Sequence, residues 1–430
     1  MRLSFNIQSV KASGTIYIRD DGGIDPQTVN ITSVDNVTYT FTDNNYDPIV
    51  VERDDIVIDG SGYTLQGTQS GTGLDFTGRS NITIRKMEID AFHYGIWLYA
   101  SSNINVTGNN ITNNHNGIYF AYSSNNTVSE NNITDNLDYA VYLFLSSNNT
   151  VYKNTVAGNW YYGIIVDSSS YNRISENAIT FSPLGIWLFQ SSSNTVSKNN
   201  IIYIDECAIK LEASNDNSIF GNDVTTQGIW LYESSNNNLY HNNFLDGVEQ
   251  VHSFDSTNVW DNGVEGNYWS DYTGQDENND GVGDRSYVID ANNQDGYPLM
   301  GMFHDFPIDE THVTVISNST VSSFDWYIAL PVTIALHFNV AGLNDTVGFC
   351  RVMIPRAFMK GPYTVSVDGE EVETNELPIS NSTHAFLYFT YIHSTHAVVI
   401  IPEFSSLFVL PLLMIATLLA VIVYRRKYSM

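Results

Sequence analysis

The chain has 430 residues, 43% hydrophobic and 15% charged, which excludes a wholly disordered protein and, at this length, a single ordinary compact domain. Its 18 Lys and Arg stand against 47 Asp and Glu, a formal charge of −29. A nucleic-acid binder neutralises phosphates with cations, so nucleic acid is excluded as a partner.

Residues 1–13 hold no apolar run long enough for export, and Val10-Lys11-Ala12-Ser13 reads as the end of a signal peptide. Residues 14–60 read as an N-terminal β cap, because a stack of strands needs its end edge blocked.

From 61 to 300 the chain repeats. Gly or Ala followed by an apolar-x-apolar run recurs at Gly73, Gly95, Gly117, Ala140, Gly163, Gly185, Ala208 and Gly228, in steps of 20 to 23 residues. Asn109, Asn131, Asn154, Asn177, Asn199, Asn222 and Asn242 keep the same beat. So do Asn81, Asn103, Asn126, Asn149, Asn172, Asn194 and Asn217. Apolar residues alternate with period two between Asn, Ser and Gly turns, and no 3.6-residue period is present. Three short strands in about 22 residues make one coil of a parallel β-helix, with coils ~4.8 Å apart. Stacked asparagines then form ladders, each amide donating to one neighbouring coil and accepting from the other. Cys207 and Cys350 lie in different parts of the chain without metal-ligand spacing, and read as buried free thiols.

Two places past each repeat Gly or Ala stand Trp97, Tyr119, Tyr142, Ile165, Trp187, Lys210 and Trp230. Four places past stand Tyr99, Ala121, Phe144, Asp167, Phe189, Glu212 and Tyr232. Alternation turns both columns outward. The rings of Trp97, Tyr99, Tyr119, Tyr142, Phe144, Trp187, Phe189, Trp230 and Tyr232 are candidate ligand contacts, a flat platform for sugar rings. The alternatives are ring-on-ring stacking that stabilises the solenoid, cover by a C-terminal domain, or assembly with neighbouring proteins. Asp167, Asp205, Glu206 and Glu212 are the acids on these coils. They are candidates for acid–base catalysis, set against a reading as solvated surface. Asp167 and Glu212, two coils apart at ~10 Å, exceed the spacing of an inverting glycosidase. No nucleophile elbow, phosphate loop or metal-binding histidine motif is present.

Asp276-Glu277-Asn278-Asn279-Asp280-Gly281-Val282-Gly283-Asp284 places oxygens at alternate positions around a glycine turn. Asp276, Asn278, Asp280 and Asp284 are candidate ligands of a structural calcium ion. Tyr287 stands where an EF-hand has its last glutamate, and no helical pattern flanks the loop. Residues 311–400 lose the beat and show alternating strands with an Asp368-Gly369 hairpin turn, which predicts an immunoglobulin-like β-sandwich acting as a stalk. Within 405–427, Leu407 to Tyr424 is uncharged and apolar and precedes Arg425, Arg426 and Lys427. This predicts a C-terminal transmembrane helix with a cytoplasmic basic stop and the rest of the chain outside. Sequons at Asn30, Asn36, Asn318, Asn344 and Asn381 suit an external glycoprotein.

The coil pattern over roughly 50–300 resembles the NosD-like, pectin-lyase-like right-handed parallel β-helix proteins. The closing segment Gly266-Asn267-Tyr268-Trp269-Ser270-Asp271-Tyr272, with Gly281-Val282-Gly283-Asp284 and Tyr297-Pro298-Leu299, carries the resemblance most specifically. Pro402-Glu403-Phe404 resembles the PEF-type tails of archaeal surface proteins. The resemblance implies an all-β cell-surface protein, structural or binding envelope polysaccharide, with a membrane anchor. A polysaccharide lyase or glycoside hydrolase is the alternative, and an accessory factor in metal-centre assembly a third. The family's copper role is not carried over, since His93, His115, His241 and His252 share no spacing suited to a copper site.

Overall fold

The computed structural model describes residues 14–27, 30–225, 228–245, 250–329 and 333–403. The expected signal-peptide remnant (1–13) and anchor (405–427) lie outside the described residues. Among the described residues no helix is long and apolar enough to cross a membrane. The chain divides into two units: residues up to Gln275 with Asp284–Pro298, and Asp276–Gly283 with Leu299 onward.

The first unit is an all-β parallel solenoid of the right-handed type, with about ten turns and three sheets. One coil runs through Tyr94–Tyr99 in sheet 1, Ser102–Thr107 in sheet 2 and Asn110–Thr112 in sheet 3. Each strand pairs in parallel with its counterpart one repeat later, as in Ile96↔Ile118, Val106↔Val128 and Ile111↔Ile133. Like residues therefore stack on like. Ile96, Ile118, Val141, Ile164, Ile186, Ile209 and Ile229 form one fully buried inner column. Each such side chain contributes about 1.5–3 kcal/mol on burial.

Winding begins before residue 61. Ile16–Ile18 pairs in parallel with Ile49–Val51, and Thr38–Phe41 with Ile56–Asp59. The capping elements within 14–60 are the antiparallel strands Ile24–Asp25 and Ile31–Thr32, which close the first edges of sheets 1 and 2.

At the corners between sheets, asparagine amides replace the missing strand-to-strand partners. Asn109, Asn131, Asn154, Asn177, Asn199, Asn222, Asn242 and Asn267 form one ladder, each Nδ2 donating to the next Oδ1 at 2.9–3.0 Å. Each Oδ1 also accepts a backbone N–H from the preceding coil, as Asn154 does from Asn131 at 3.0 Å. A second ladder runs through Asn126, Asn149, Asn172, Asn194, Asn217, Asn237 and Asn258. Asn81 and Asn103, expected in it, are exposed and left-handed instead. They belong one residue earlier, with Asn125 and Asn148; Asn81 has φ 57°, Asn103 φ 55°, Asn125 φ 61° and Asn148 φ 58°. A third, shorter ladder of Asn114, Asn136 and Asn159 and a serine ladder including Ser123, Ser146, Ser169 and Ser191 complete the corners.

The closing segment terminates these ladders. The Asp295 carboxylate, fully buried, accepts from Asn267 N at 2.7 Å, Trp269 Nε1 at 2.9 Å and Tyr297 N at 3.0 Å. A Cβ at Gly266 would stand 1.8 Å from Asp295 Oδ1, so only glycine fits there. Asn293 ends the second ladder, accepting from Asn258 N at 2.9 Å and donating to Asp290.

The second unit holds two five-stranded antiparallel sheets around one core that includes Val313, Leu336, Phe338, Val352, Leu387 and Ile400. This is the expected β-sandwich, beginning at Met302 rather than at 311. Asp368 and Gly369, both at positive φ, turn Tyr363–Val367 into Glu370–Glu371 as the sequence predicts. Cys207 and Cys350 are free and buried, and burial pushes their thiols up to about 12 and about 11. The Asn318 amide is committed to the sandwich: Nδ2 donates to Val347 O and Oδ1 accepts from Phe349 N, both at 3.0 Å.

Replacing Asn154 with Leu strands the Asn131 backbone N–H and removes the side-chain donor to the Val128 and Tyr152 carbonyls and to Asn177 Oδ1, which keeps only the backbone N–H of residue 154. At about 1–3 kcal/mol per unmet buried group, Asn154→Leu is expected to cost about 3 kcal/mol or more in urea unfolding. A change below about 0.5 kcal/mol, the size of an ordinary surface substitution, would contradict the ladder. A second expectation concerns Asp295, which burial pushes up to about 6 against the pull of its hydrogen bonds. Because this exceeds the ~3.9 of an unfolded aspartate, its contribution to stability is full below about pH 4 and is lost as pH rises through 6. The difference between the stability curves of the wild type and Asp295→Asn should change by about 3 kcal/mol from pH 4 to 7.5. Parallel curves would show that Asp295 titrates normally.

Candidate functional site

Sheet 1 differs from the other two in what it shows outward. One outer column reads Trp97, Tyr119, Tyr142, Ile165, Trp187, Lys210, Trp230 and His252. The matched column of sheet 2 reads Thr83, Asn105, Thr127, Thr150, Arg173, Thr195, Ser218 and Asn238. That of sheet 3 reads Glu88, Asn110, Asn132, Thr155, Ala178, Asn200, Asp223 and Asn243. The second outer column of sheet 1 carries Tyr99, Phe144, Phe189 and Tyr232 as expected, with Asp167 and Glu212 between them.

The rings pack on each other. Trp97 and Tyr119 lie 4.7 Å apart at 4°, and Tyr232 and Phe254 5.0 Å apart at 11°. Tyr119 and Tyr142 meet edge to face at 5.2 Å, Tyr142 and Phe144 are 6.3 Å apart, and Trp187 and Phe189 are 5.5 Å apart. Parallel rings this close must lie face to face. Trp97 and Tyr119 therefore turn their faces along the solenoid axis and their edges outward. The surface offered is one of ring edges and phenol hydroxyls, with Tyr99, Trp230 and Tyr232 exposed.

The four candidate acids are dispersed. Asp167 accepts from Tyr142 Oη at 2.5 Å and Ser168 Oγ at 2.8 Å. Glu212 pairs with Lys210 at 2.8 Å, and Lys210 lies over the Trp187 ring at 4.9 Å. Phe189 stands between Asp167 and Glu212 in their column. Asp205 and Glu206 are exposed in the turn before Cys207.

A group that sequence reasoning passed over flanks this face. His93 and His115 are one coil apart, and their rings meet at 4.6 Å, tilted by 39°. Asp138 follows one coil further, its N–H bonded to His115 O at 2.8 Å. Their neighbours in the chain, Tyr94, Asn116 and Tyr139, form the adjoining column. Tyr94 meets Trp97 at 4.7 Å and Tyr139 meets Tyr142 at 5.0 Å, so this column also faces out. A small residue intervenes in each coil, Gly95, Gly117 and Ala140, and at Gly95 a Cβ would come within 2.8 Å of Gly117 O on the next coil. Asn116 is 3% exposed and its Oδ1 has no hydrogen-bond partner among the described residues; the same is true of His115 Nδ1. An unmet buried acceptor costs about 1–3 kcal/mol. Burial raises the Asp138 carboxyl, against the pull of His115 and His93. Burial and His115 lower His93, with Asp138 opposing. The signal was present as the coil step itself, 22 and then 23 residues, but the residue types differ from coil to coil.

In the 276–284 loop, Asp276 accepts backbone N–H from Asp280 at 2.9 Å and Gly281 at 2.8 Å. Asn278 Nδ2 donates to Asp280 Oδ2 at 3.3 Å, and Asp280 Oδ1 accepts from Val282 N at 2.9 Å. Asp284 falls in the solenoid unit. In the sandwich, His393 bonds Ser319 at 2.7 Å and Thr346 at 2.6 Å, but Ser319 and His393 are both buried.

A family model described as "Periplasmic copper-binding protein (NosD)" matches residues 29–225 and 205–274, together more than half of the chain. The chain belongs to the NosD family. No curated protein matches it in sequence. Among solved structures, the Dettilon tailspike protein aligns at 13% identity and TM-score 0.39, over 83% of this chain and 87% of that one. The lidless DFA-IIIase from Arthrobacter chlorophenolicus A6 aligns at 14% and 0.40, over 50% and 63%. The periplasmic alginate epimerase AlgG aligns at 13% and 0.38, over 54% and 80%. Likenesses of this depth say nothing about what this chain binds. The family's copper does not fit the residues present: among the described residues no three of His, Cys, Asp or Glu are placed to hold a metal ion.

An NMR titration should place His93 below the ordinary 6.5 of histidine, with His115→Ala moving it upward, since burial and the neighbouring imidazole both lower it. A value above 6.5 would mean that Asp138 dominates instead.

Proposed function

We propose that this NosD-family chain is a cell-envelope protein whose solenoid binds polysaccharide along the outer face of sheet 1. Trp97, Tyr99, Tyr119, Tyr142, Phe144, Trp187, Phe189, Trp230 and Tyr232 are its contacts. The observation that supports this reading is the concentration of rings in the outer columns of sheet 1, coil after coil; sheet 2 turns out Tyr152, Phe220 and Tyr240, the last two stacked at 5.6 Å. Stacking that only stiffened the solenoid would serve equally along the first outer columns of sheets 2 and 3, which are mostly Thr, Asn and Ser. Ring edges and phenol hydroxyls suit a ligand that offers both C–H surface and hydroxyls. Surface display, with 405–427 as membrane anchor and neighbouring surface proteins as further partners, belongs to the same proposal. The catalytic alternative on Asp167, Asp205, Glu206 and Glu212 has less behind it, because Glu212 is paired with Lys210 and Asp167 with Tyr142.

Affinity electrophoresis through gels containing envelope polysaccharides should retard the wild-type protein. Trp97→Ala with Trp187→Ala is expected to weaken that binding at least tenfold, about 1.4 kcal/mol, with the β circular-dichroism signal retained. Binding that survives the double substitution would remove the aromatic face as the site.

A further inference from the structure

We infer that the His93–His115–Asp138 column, with Asn116 beside it, is a subsite for a neutral sugar unit, one that receives sugar hydroxyls and turns away uronates. The inference rests on the glycan reading of sheet 1 and names the class of sugar. Three features of this place carry it.

The first is a pair of buried polar atoms with nothing to bind. Asn116 is 3% exposed, and neither its Oδ1 nor His115 Nδ1 has a hydrogen-bond partner among the described residues. Both atoms are closed to solvent, so a hydroxyl reaches them when a covering ring moves aside, and the bond it then makes is not offset by fresh desolvation of the acceptor. The second is the geometry of the column. Asn116 and His115 belong to one coil, and Asp138 to the next, ~4.8 Å along the axis. That step is of the order of the distance across a sugar ring. Tyr94 and Tyr139 stand on either side of Asn116 in its column and supply apolar walls, while Trp97, Tyr119 and Tyr142 line the adjoining floor.

The third feature is charge. The side chains gathered here hold one carboxylate, Asp138, beside two imidazoles, the Asn116 amide and the phenols of Tyr94, Tyr119, Tyr139 and Tyr142, groups that both donate and accept. Among the described residues of these outer columns of sheet 1, Lys210 is the one Lys or Arg, and it is held by Glu212 and the Trp187 ring. A uronate carboxylate next to Asp138 would meet like charge without a compensating cation, on a chain that carries −29 overall. A neutral hexose brings hydroxyls, which donate and accept, and C–H faces, which is what these polar groups and rings can use.

The test is calorimetry on the full chain at pH 7.5, where His93 is uncharged, with cellohexaose, mannohexaose, maltohexaose and hexagalacturonate as probes. At least one neutral hexasaccharide is expected to bind ten times or more tightly than hexagalacturonate. Asn116→Leu and Asp138→Asn should each weaken that binding fivefold or more without lowering Tm, because Asn116 Oδ1 supports nothing within the fold. Hexagalacturonate bound as tightly as the neutral probes would overturn the subsite. So would full affinity in both variants while Trp97→Ala with Trp187→Ala abolishes binding, a result that leaves the glycan reading standing. If the unsubstituted protein binds none of the four, the subsite and the glycan reading fall together.

Discussion

The corner of the coil is the constraint on which the rest of this molecule depends. Strands in the three sheets satisfy their backbone groups by pairing with the coils above and below. Where the chain turns between sheets, that pairing lapses inside a closed apolar stack. An asparagine at the corner answers with one side chain. Asn154 shows the full set: its Oδ1 receives the amide and Nδ2 of Asn131, and its Nδ2 reaches Val128 O, Tyr152 O and Asn177 Oδ1. The ladder holds its corner in register through coils of 20 to 25 residues, and so locks the register that sets every outward column. It also has a direction, with donors pointing toward the C-terminal end. A carboxylate is the natural terminus for such a chain of donors, and Asp295 occupies that place.

Register then converts sequence distance into contact. His93 and His115 are neighbours because 22 residues is one turn, and Trp97 meets Tyr119 for the same reason. A functional surface on such a scaffold is assembled one side chain per coil. The solenoid supplies position, and the residue types in each column supply the chemistry. Sheet 1 carries rings, hydroxyls and a short column of imidazole and carboxylate, while sheets 2 and 3 carry mostly short polar side chains. Glycine in the repeat motif has its place here too. At Gly95 a Cβ would come within 2.8 Å of Gly117 O on the next coil, while Ala140 holds the same place between Tyr139 and Tyr142, so the position takes a small residue.

Much of this was legible in the residues. The beat of the Gly-apolar motif gave the coil and the three strands, and the asparagine series gave the main ladder from Asn109 onward. Asn81 and Asn103 were misplaced by one residue, because asparagine suits a left-handed turn as well as a ladder and spacing alone does not separate the two. The winding before residue 61 was hidden because its strands, such as Ile16–Ile18 and Ile49–Val51, lack the glycine motif. Alternation predicted which way Trp97 and Tyr119 point but not the plane of their rings, which is set by packing between coils. The His93, His115 and Asp138 column escaped because the eye follows repeated residue types, and here only the interval repeats.

The central claim is that the corner asparagines are buried and bonded from coil to coil. Side-chain amide hydrogen exchange in protein labelled with 15N-asparagine tests it most directly. Asn131, Asn154, Asn177 and Asn199 should exchange as slowly as the backbone amides of the sheets, and Asn103 at the rate of an exposed side chain. Rapid exchange at Asn131, Asn154, Asn177 and Asn199, on the timescale of Asn103, would contradict the ladder and with it the register that builds the surface of sheet 1.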